Sequence, residues 1–178
     1  MNMETLNVRL SDAEEISLTG IDYIASGNQY LSFSLGDEHY SVDILRVTEI
    51  RGWELPTLIP NSPRDVLGVV NLRGVIVPVV DLRIRFGVGK VDYLATTVVI
   101  ILSIEHNSGH RMMGFVVDAV SDVLNVEDKD IKKAPNFNGT ISQQSIIGLV
   151  NVGTNVVTVL DAHQLMSLDE SGHTEGRL

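Results

Sequence analysis

Gly68-Val69-Val70-Asn71-Leu72-Arg73-Gly74-Val75-Ile76-Val77-Pro78-Val79-Val80-Asp81 returns eighty positions later as Gly148-Leu149-Val150-Asn151-Val152-Gly153-Thr154-Asn155-Val156-Val157-Thr158-Val159-Leu160-Asp161. Each copy has a glycine, a short apolar run, a turn rich in Asn and Gly, and a second run of β-branched residues ending on an aspartate. Such residues suit a pleated, half-buried surface, and the punctuation is that of a β-hairpin. A unit that recurs at constant offset is a repeated supersecondary element. Upstream, Val42-Asp43 finds its counterpart in Val117-Asp118 at an offset of 75, so insertions separate the two matches.

Working outward, Leu31, Phe33 and Leu35 alternate with Ser32 and Ser34, and Gly36-Asp37-Glu38 turns the chain before Tyr40 and Val42 resume the period of two. Val98 to Ile104, a polar turn at Asn107-Ser108-Gly109, and Met112 to Val117 repeat that hairpin. Each half reads as a hairpin, a Val-Asp step, a variable connection, a second hairpin and a short helix. The helices are expected over Leu82 to Phe86 and Ala162 to Met166, with Asp81 and Asp161 as N-caps. Short strands in two such units predict an all-β fold of two small five-stranded barrels packed together, with a few short helices, because closure removes exposed edges. Pro78 cannot donate to a ladder, which places its strand at an edge or a bulge.

The expected organisation is an N-terminal extension over 1–28, in which Ser11 and Glu14 have capping-box spacing, then one domain over 29–166. Its first barrel is expected at about 29–90 and its second at about 91–166. Residues 167–178 form an acidic tail of disordered composition.

With 178 residues, 44% of them hydrophobic, the chain can bury a full core. It has no cysteine, which excludes disulfides, thiolate metal sites and a cysteine nucleophile and fits a reducing compartment. The net charge of −10 is concentrated at the two ends, leaving a body with 15 acids, 11 bases and no basic stripe. That distribution argues against nucleic-acid binding. The first ten residues lack the pattern of a secretory signal, and the longest apolar runs fall far short of the ~20 residues that span a bilayer. The expected location is cytoplasmic.

Asp43, Asp81, Asp118 and Asp161 all end strands at equivalent repeat positions, where capping and turn formation account for them without acid/base chemistry. His106 and His110 have i,i+4 spacing, but the turn between them removes the helix a metal pair would need. There is no phosphate-binding loop and no nucleophile elbow. No catalytic residue, metal or cofactor is therefore assigned. Two features break the repeat: Arg73, where the second copy has Gly153, and Val47-Thr48-Glu49-Ile50-Arg51-Gly52-Trp53, which holds the only tryptophan. An arginine among valines and leucines is either a solvated hairpin tip or an interface anchor.

Three segments carry a resemblance to a known family. Ile44 to Gly52, Gly68 to Arg83 and Gly114 to Leu124 occur in order and resemble the CheW-like chemotaxis coupling proteins across roughly residues 28–166. The resemblance implies two five-stranded SH3-like barrels and a non-catalytic adaptor that joins the cytoplasmic tips of methyl-accepting chemoreceptors to the regulatory domain of the histidine kinase CheA, reaching the membrane only through the receptors. It implies a receptor groove at Val47, Glu49, Arg73, Val98, Val99, Val120 and Val123, and kinase contacts at Gly68 with its neighbours Leu67 and Val69. An adaptor of a non-flagellar, twitching-type pathway is the alternative.

Overall fold

The computed structural model describes residues 28–107, 109–135 and 143–167. The N-terminal extension with its Ser11–Glu14 spacing, up to Asn28, and the acidic tail after Ser167 lie outside the described residues. In chain order the strands are β1 (Asn28–Leu35), β2 (Glu38–Asp43), β3 (Val47–Gly52), β4 (Val66–Leu72), β5 (Val75–Asp81), β6 (Val98–His106), β7 (Gly109–Val117), β8 (Ala119–Val126), β9 (Ile146–Val152) and β10 (Asn155–Leu160). A short helix α1 (Leu82–Phe86) follows β5, and α2 (162–167) follows β10. The fold is all-β, as expected.

Two five-stranded sheets form, in the orders β3-β6-β7-β5-β4 and β8-β1-β2-β10-β9. The expected division into barrels at 29–90 and 91–166 is corrected here. The leading hairpin of each half, β1–β2 or β6–β7, joins the last three strands of the other half. Parallel pairs lock the exchange, β5 with β7 and β2 with β10. One barrel is therefore continuous in sequence, and the other is assembled from the two ends of the domain. The repeat alignment itself holds, since β2/β7 and β4–β5/β9–β10 occupy equivalent places.

Closure comes from the segments after β3 and β8. Thr57 bridges to Val69 on β4, and Lys132 bridges to Leu149 on β9, each through reciprocal backbone bonds of 2.7–2.9 Å. The paired glycines of the repeat stand at these bridges. A Cβ on Gly68 would lie 2.2 Å from the Thr57 carbonyl oxygen, and one on Gly148 would lie 2.5 Å from that of Lys132. Only glycine lets the backbones approach this closely.

The alternating faces of the strands explain the continuous apolar runs. On β6, Val99 and Ile101 enter the interior of the first barrel, while Ile100, Leu102 and Ile104 face a core shared by both barrels. A strand buried on both sides needs apolar residues throughout. Among the described residues the shared core holds 19 buried side chains, against six and five in the barrel interiors. The barrels are thus one folding unit, since most of the hydrophobic stabilisation lies between them.

Pro78 is not on an edge strand, because β5 lies between β7 and β4. It is opposite Val69, whose N–H and C=O point away to Thr57, and the β5–β7 ladder begins only at Val79. The missing N–H therefore leaves no ladder bond unmade. Asp81 accepts from the Arg83 N–H at 2.9 Å, and Asp161 accepts from that of His163 at 2.9 Å, the N-caps read from the sequence.

Candidate binding surface

β3 borders the first sheet and carries Val47 and Glu49, with a register shift between them. Val47 is half-buried and packs against the shared core. Glu49 meets Arg73 from the β4–β5 hairpin tip, whose Nη1 and Nη2 donate to Glu49 Oε2 at 3.0 and 2.7 Å. Arg51 approaches the other carboxylate oxygen at 3.8 Å and Glu54 at 3.5 Å. Arg73 and Glu54 are the exposed ends of this chain of charges, their side chains 70% and 72% exposed against 28% for Glu49.

The valines divide by burial. Val98 opens β6 opposite Val117, which leads through Asp118 into β8, and both Val98 and Val120 pack half-buried on the rim of the shared core. Val123, farther along β8, is 46% exposed and lines a cleft of about 380 Å³ between β8 and β9. Val99 differs. It is 6% exposed and enclosed within the first barrel, because adjacent residues of a strand face opposite sides. It is the least accessible of the seven groove positions that the resemblance implies.

Gly68 is buried, and Leu67 and Val69 are half-buried. Gly68 is explained by the Thr57 bridge alone. Beside that bridge the loop exposes Leu55 and Leu58, at 83% and 75%, two large apolar side chains that sequence reading passed over.

It also passed over the corner where the barrels meet. Arg83 is 2% exposed. Its Nε and Nη2 donate to the two oxygens of Asp81 at 3.0 and 2.9 Å, and Nη1 donates to Asp118 Oδ1 at 2.9 Å and to the Asp92 carbonyl at 2.8 Å. Asp118 also accepts from the Gly36 N–H in the β1–β2 turn. Arg83 and Asp118 thus tie α1 and the β3–β7 barrel to the β1–β2 hairpin of the other. Burial works against the Arg83 charge, but the two carboxylates outweigh it and raise its pKa above the ordinary value. Tyr93 donates to Asp81 Oδ2 at 2.8 Å and stacks on Trp53 at a centroid distance of 4.3 Å. Burial and then Asp81 push its phenol up to about 12. The available signal was a further departure from the repeat, since Arg83 corresponds to His163 in the other copy.

The four strand-end aspartates are occupied by caps, turns and this ion pair. His110 pairs with Glu105 across the β6–β7 hairpin while His106 pairs with Gly109, so the two histidines project from opposite faces. Among the described residues no group of three His, Asp or Glu side chains could hold a metal, and no helix is long and apolar enough to cross a membrane.

Two interlocked barrels with a charged pair set among half-buried valines, and with their carboxylates committed to structure, define a protein-binding module. A family model described as "CheW-like domain" matches residues 29–170, and the chain belongs to that family. It is 44% identical over 144 residues to the chemotaxis protein CheW of Klebsiella aerogenes, covering 81% of this chain and 84% of that protein. CheW of Bacillus subtilis is 28% identical, with 83% and 92% covered. The crystal structure of the scaffolding protein TtCheW from Thermoanaerobacter tengcongensis superposes with a TM-score of 0.69 at 32% identity, covering 78% of this chain and 87% of that one. The family is one of chemotaxis scaffolds, and the chain is an adaptor without catalytic activity.

Proposed function

We propose that this chain is a cytoplasmic adaptor that couples the cytoplasmic tips of methyl-accepting chemoreceptors to the regulatory domain of the histidine kinase CheA in bacterial chemotaxis. The observation that carries the receptor side is the Arg73–Glu49 pair, present in one copy of the repeat only and held at the border of half-buried Val47. Taken with Val98, Val120 and Val123 it would give an apolar surface flanked by one exposed cation, which suits a receptor helix with an apolar stripe and a flanking acid. The kinase side is assigned to the neighbourhood of Leu67, Gly68 and Val69. Gly68 serves there by letting the Thr57 loop close, and the exposed Leu55 and Leu58 supply contact area. Two faces on one rigid unit make the second encounter intramolecular, so weak individual contacts suffice.

Sedimentation of the native chain with receptor-tip fragments and CheA tests this reading, with a ternary complex as the expected result. Arg73→Glu is expected to weaken receptor binding by at least about tenfold, since like charges across an interface are strongly unfavourable. Kinase binding and thermal stability should be retained. Unchanged receptor affinity would remove Arg73 from the receptor surface, and absence of binding to either partner would remove the coupling function.

A further inference from the structure

Among the described residues only Asn61 and Arg73 combine a side chain with a left-handed backbone, at φ 61° and 50°. Asparagine tolerates that region, whereas arginine gains nothing there. Gly74 follows at φ 87°, so both central residues of the β4–β5 turn are left-handed, the type I′ pattern. In the equivalent β9–β10 turn only Gly153, at φ 60°, is left-handed, and Thr154 is not. That is the type II′ pattern, with glycine where it is required. Two hairpins of one repeat therefore turn differently, and the first places an arginine where glycine would be the low-energy choice. Backbone strain of this kind persists where the surroundings over-determine it.

Two contacts hold the strained turn. Asn71 Oδ1 accepts from the Gly74 N–H at 2.7 Å, and the Arg73 guanidinium reaches Glu49. Relaxing Arg73 into the right-handed region would turn its Cα–Cβ bond away from β3 and splay the hairpin, because types I and II oppose the strand twist. We propose that Asn71 is a positioning residue for receptor binding: its side-chain carbonyl fixes the type I′ turn that presents Arg73 beside Glu49. This role rests on the reading of Arg73 as a receptor contact.

The test is a double-mutant cycle in the full-length chain, with affinity for a receptor-tip fragment as the readout. Asn71→Ala is expected to weaken binding by about three- to tenfold, the size of one turn hydrogen bond. In an Arg73→Ala background the same change should have no further effect, because a residue acting through another contributes nothing once the other is gone. Asn71→Asp, which keeps the acceptor, should restore most of the affinity. The NMR signal of the Arg73 Nε–H should move to the position of a freely rotating arginine in Asn71→Ala and stay native in Asn71→Asp. Kinase affinity should not change in any variant. Equal losses in both backgrounds, or a native Arg73 signal in Asn71→Ala, would overturn the proposal while leaving the receptor reading intact. If Arg73→Ala bound the receptor as the native chain does, that reading would fall and the positioning role with it.

Discussion

Replacing Arg83 with methionine keeps an unbranched chain of similar reach and removes the guanidinium. The Asp81 carboxylate, fully buried, would then retain only the Arg83 backbone N–H and the Tyr93 hydroxyl. Asp118 would lose its bond to α1 and keep Gly36. Removing one partner of a buried ion pair costs about 3–5 kcal/mol, because the other charge remains out of water uncompensated. Against a total stability of about 5–15 kcal/mol, that loss is large enough to depopulate the fold. Arg85 supplies the comparison. It pairs with Asp65 at 2.7 Å and donates to the Leu165 carbonyl at 3.1 Å, and the two ion-paired side chains are 12% and 20% exposed, so water can partly re-solvate the survivor. Arg85→Met is expected to cost about 1–2 kcal/mol, less than loss of the fully buried pair because the surviving charge is not wholly out of water. Urea unfolding followed by Trp53 fluorescence measures both, since Trp53 stacks on Tyr93 and the Arg83 guanidinium lies 5.2 Å from the Tyr93 ring centroid. Should Arg83→Met give no soluble protein, Arg83→Lys keeps the charge without the planar fork and is expected to lose about half as much. Equal midpoints for the Arg83 and Arg85 variants would refute the assignment of Arg83 as the staple between the barrels.

Two further outcomes follow from the same geometry. Gly68→Ala combines a φ of 147° with a Cβ placed against the Thr57 carbonyl, so it should lower stability by at least about 1–3 kcal/mol, the cost of the backbone conformation alone. A variant that lost kinase binding at native urea midpoint would show instead that Gly68 acts as a contact. At high pH, Tyr30, Tyr40 and Tyr93 all hold their protons more tightly than free tyrosine, burial being the first cause in each. Their raised pKa values leave stability intact below pH 10. It should decline as pH rises from there through about 12, where the unfolded chain ionises first and Tyr93 follows in the folded one. Phenolate absorbance in native and urea-unfolded protein checks this, and coincident titrations would contradict it.

The four hairpins, both caps and the helix over Leu82–Phe86 were legible because their signals are local: alternation, glycine punctuation and an aspartate before a helix; β3 and β8 were not, and fell in what read as variable connections. The barrel membership of the hairpins was not. Nothing in Leu31 to Val42 distinguishes pairing with the following strands from pairing with β10, more than a hundred residues away, since either choice buries the same apolar faces. The burial of Val99, which the family resemblance put in the groove, was hidden for a related reason. In a run such as Val98 to Leu102, apolar on every position, periodicity cannot say which side chain faces the barrel interior and which the rim. Arg83 was hidden by the habit of reading charged residues as solvated, when here its two carboxylates arrive from Asp81 two residues back and Asp118 far downstream.

The repeat separates what the fold requires from what has been added to it. Gly68 and Gly148 both admit a closing strand, and Asp81 and Asp161 both cap a helix. These positions are the same in each copy because each barrel faces the same steric problem. Two of the differences between the copies are arginines. At position 73 one copy accepts backbone strain to carry an arginine outward beside Glu49, and at position 83 the same copy turns an arginine inward to join the barrels. One of these arginines is exposed beside Glu49, and the other is buried against Asp81 and Asp118. A symmetric pair of barrels could bind two like partners; these two departures, both in the first copy, make the faces unlike, which is the property an adaptor between different proteins needs.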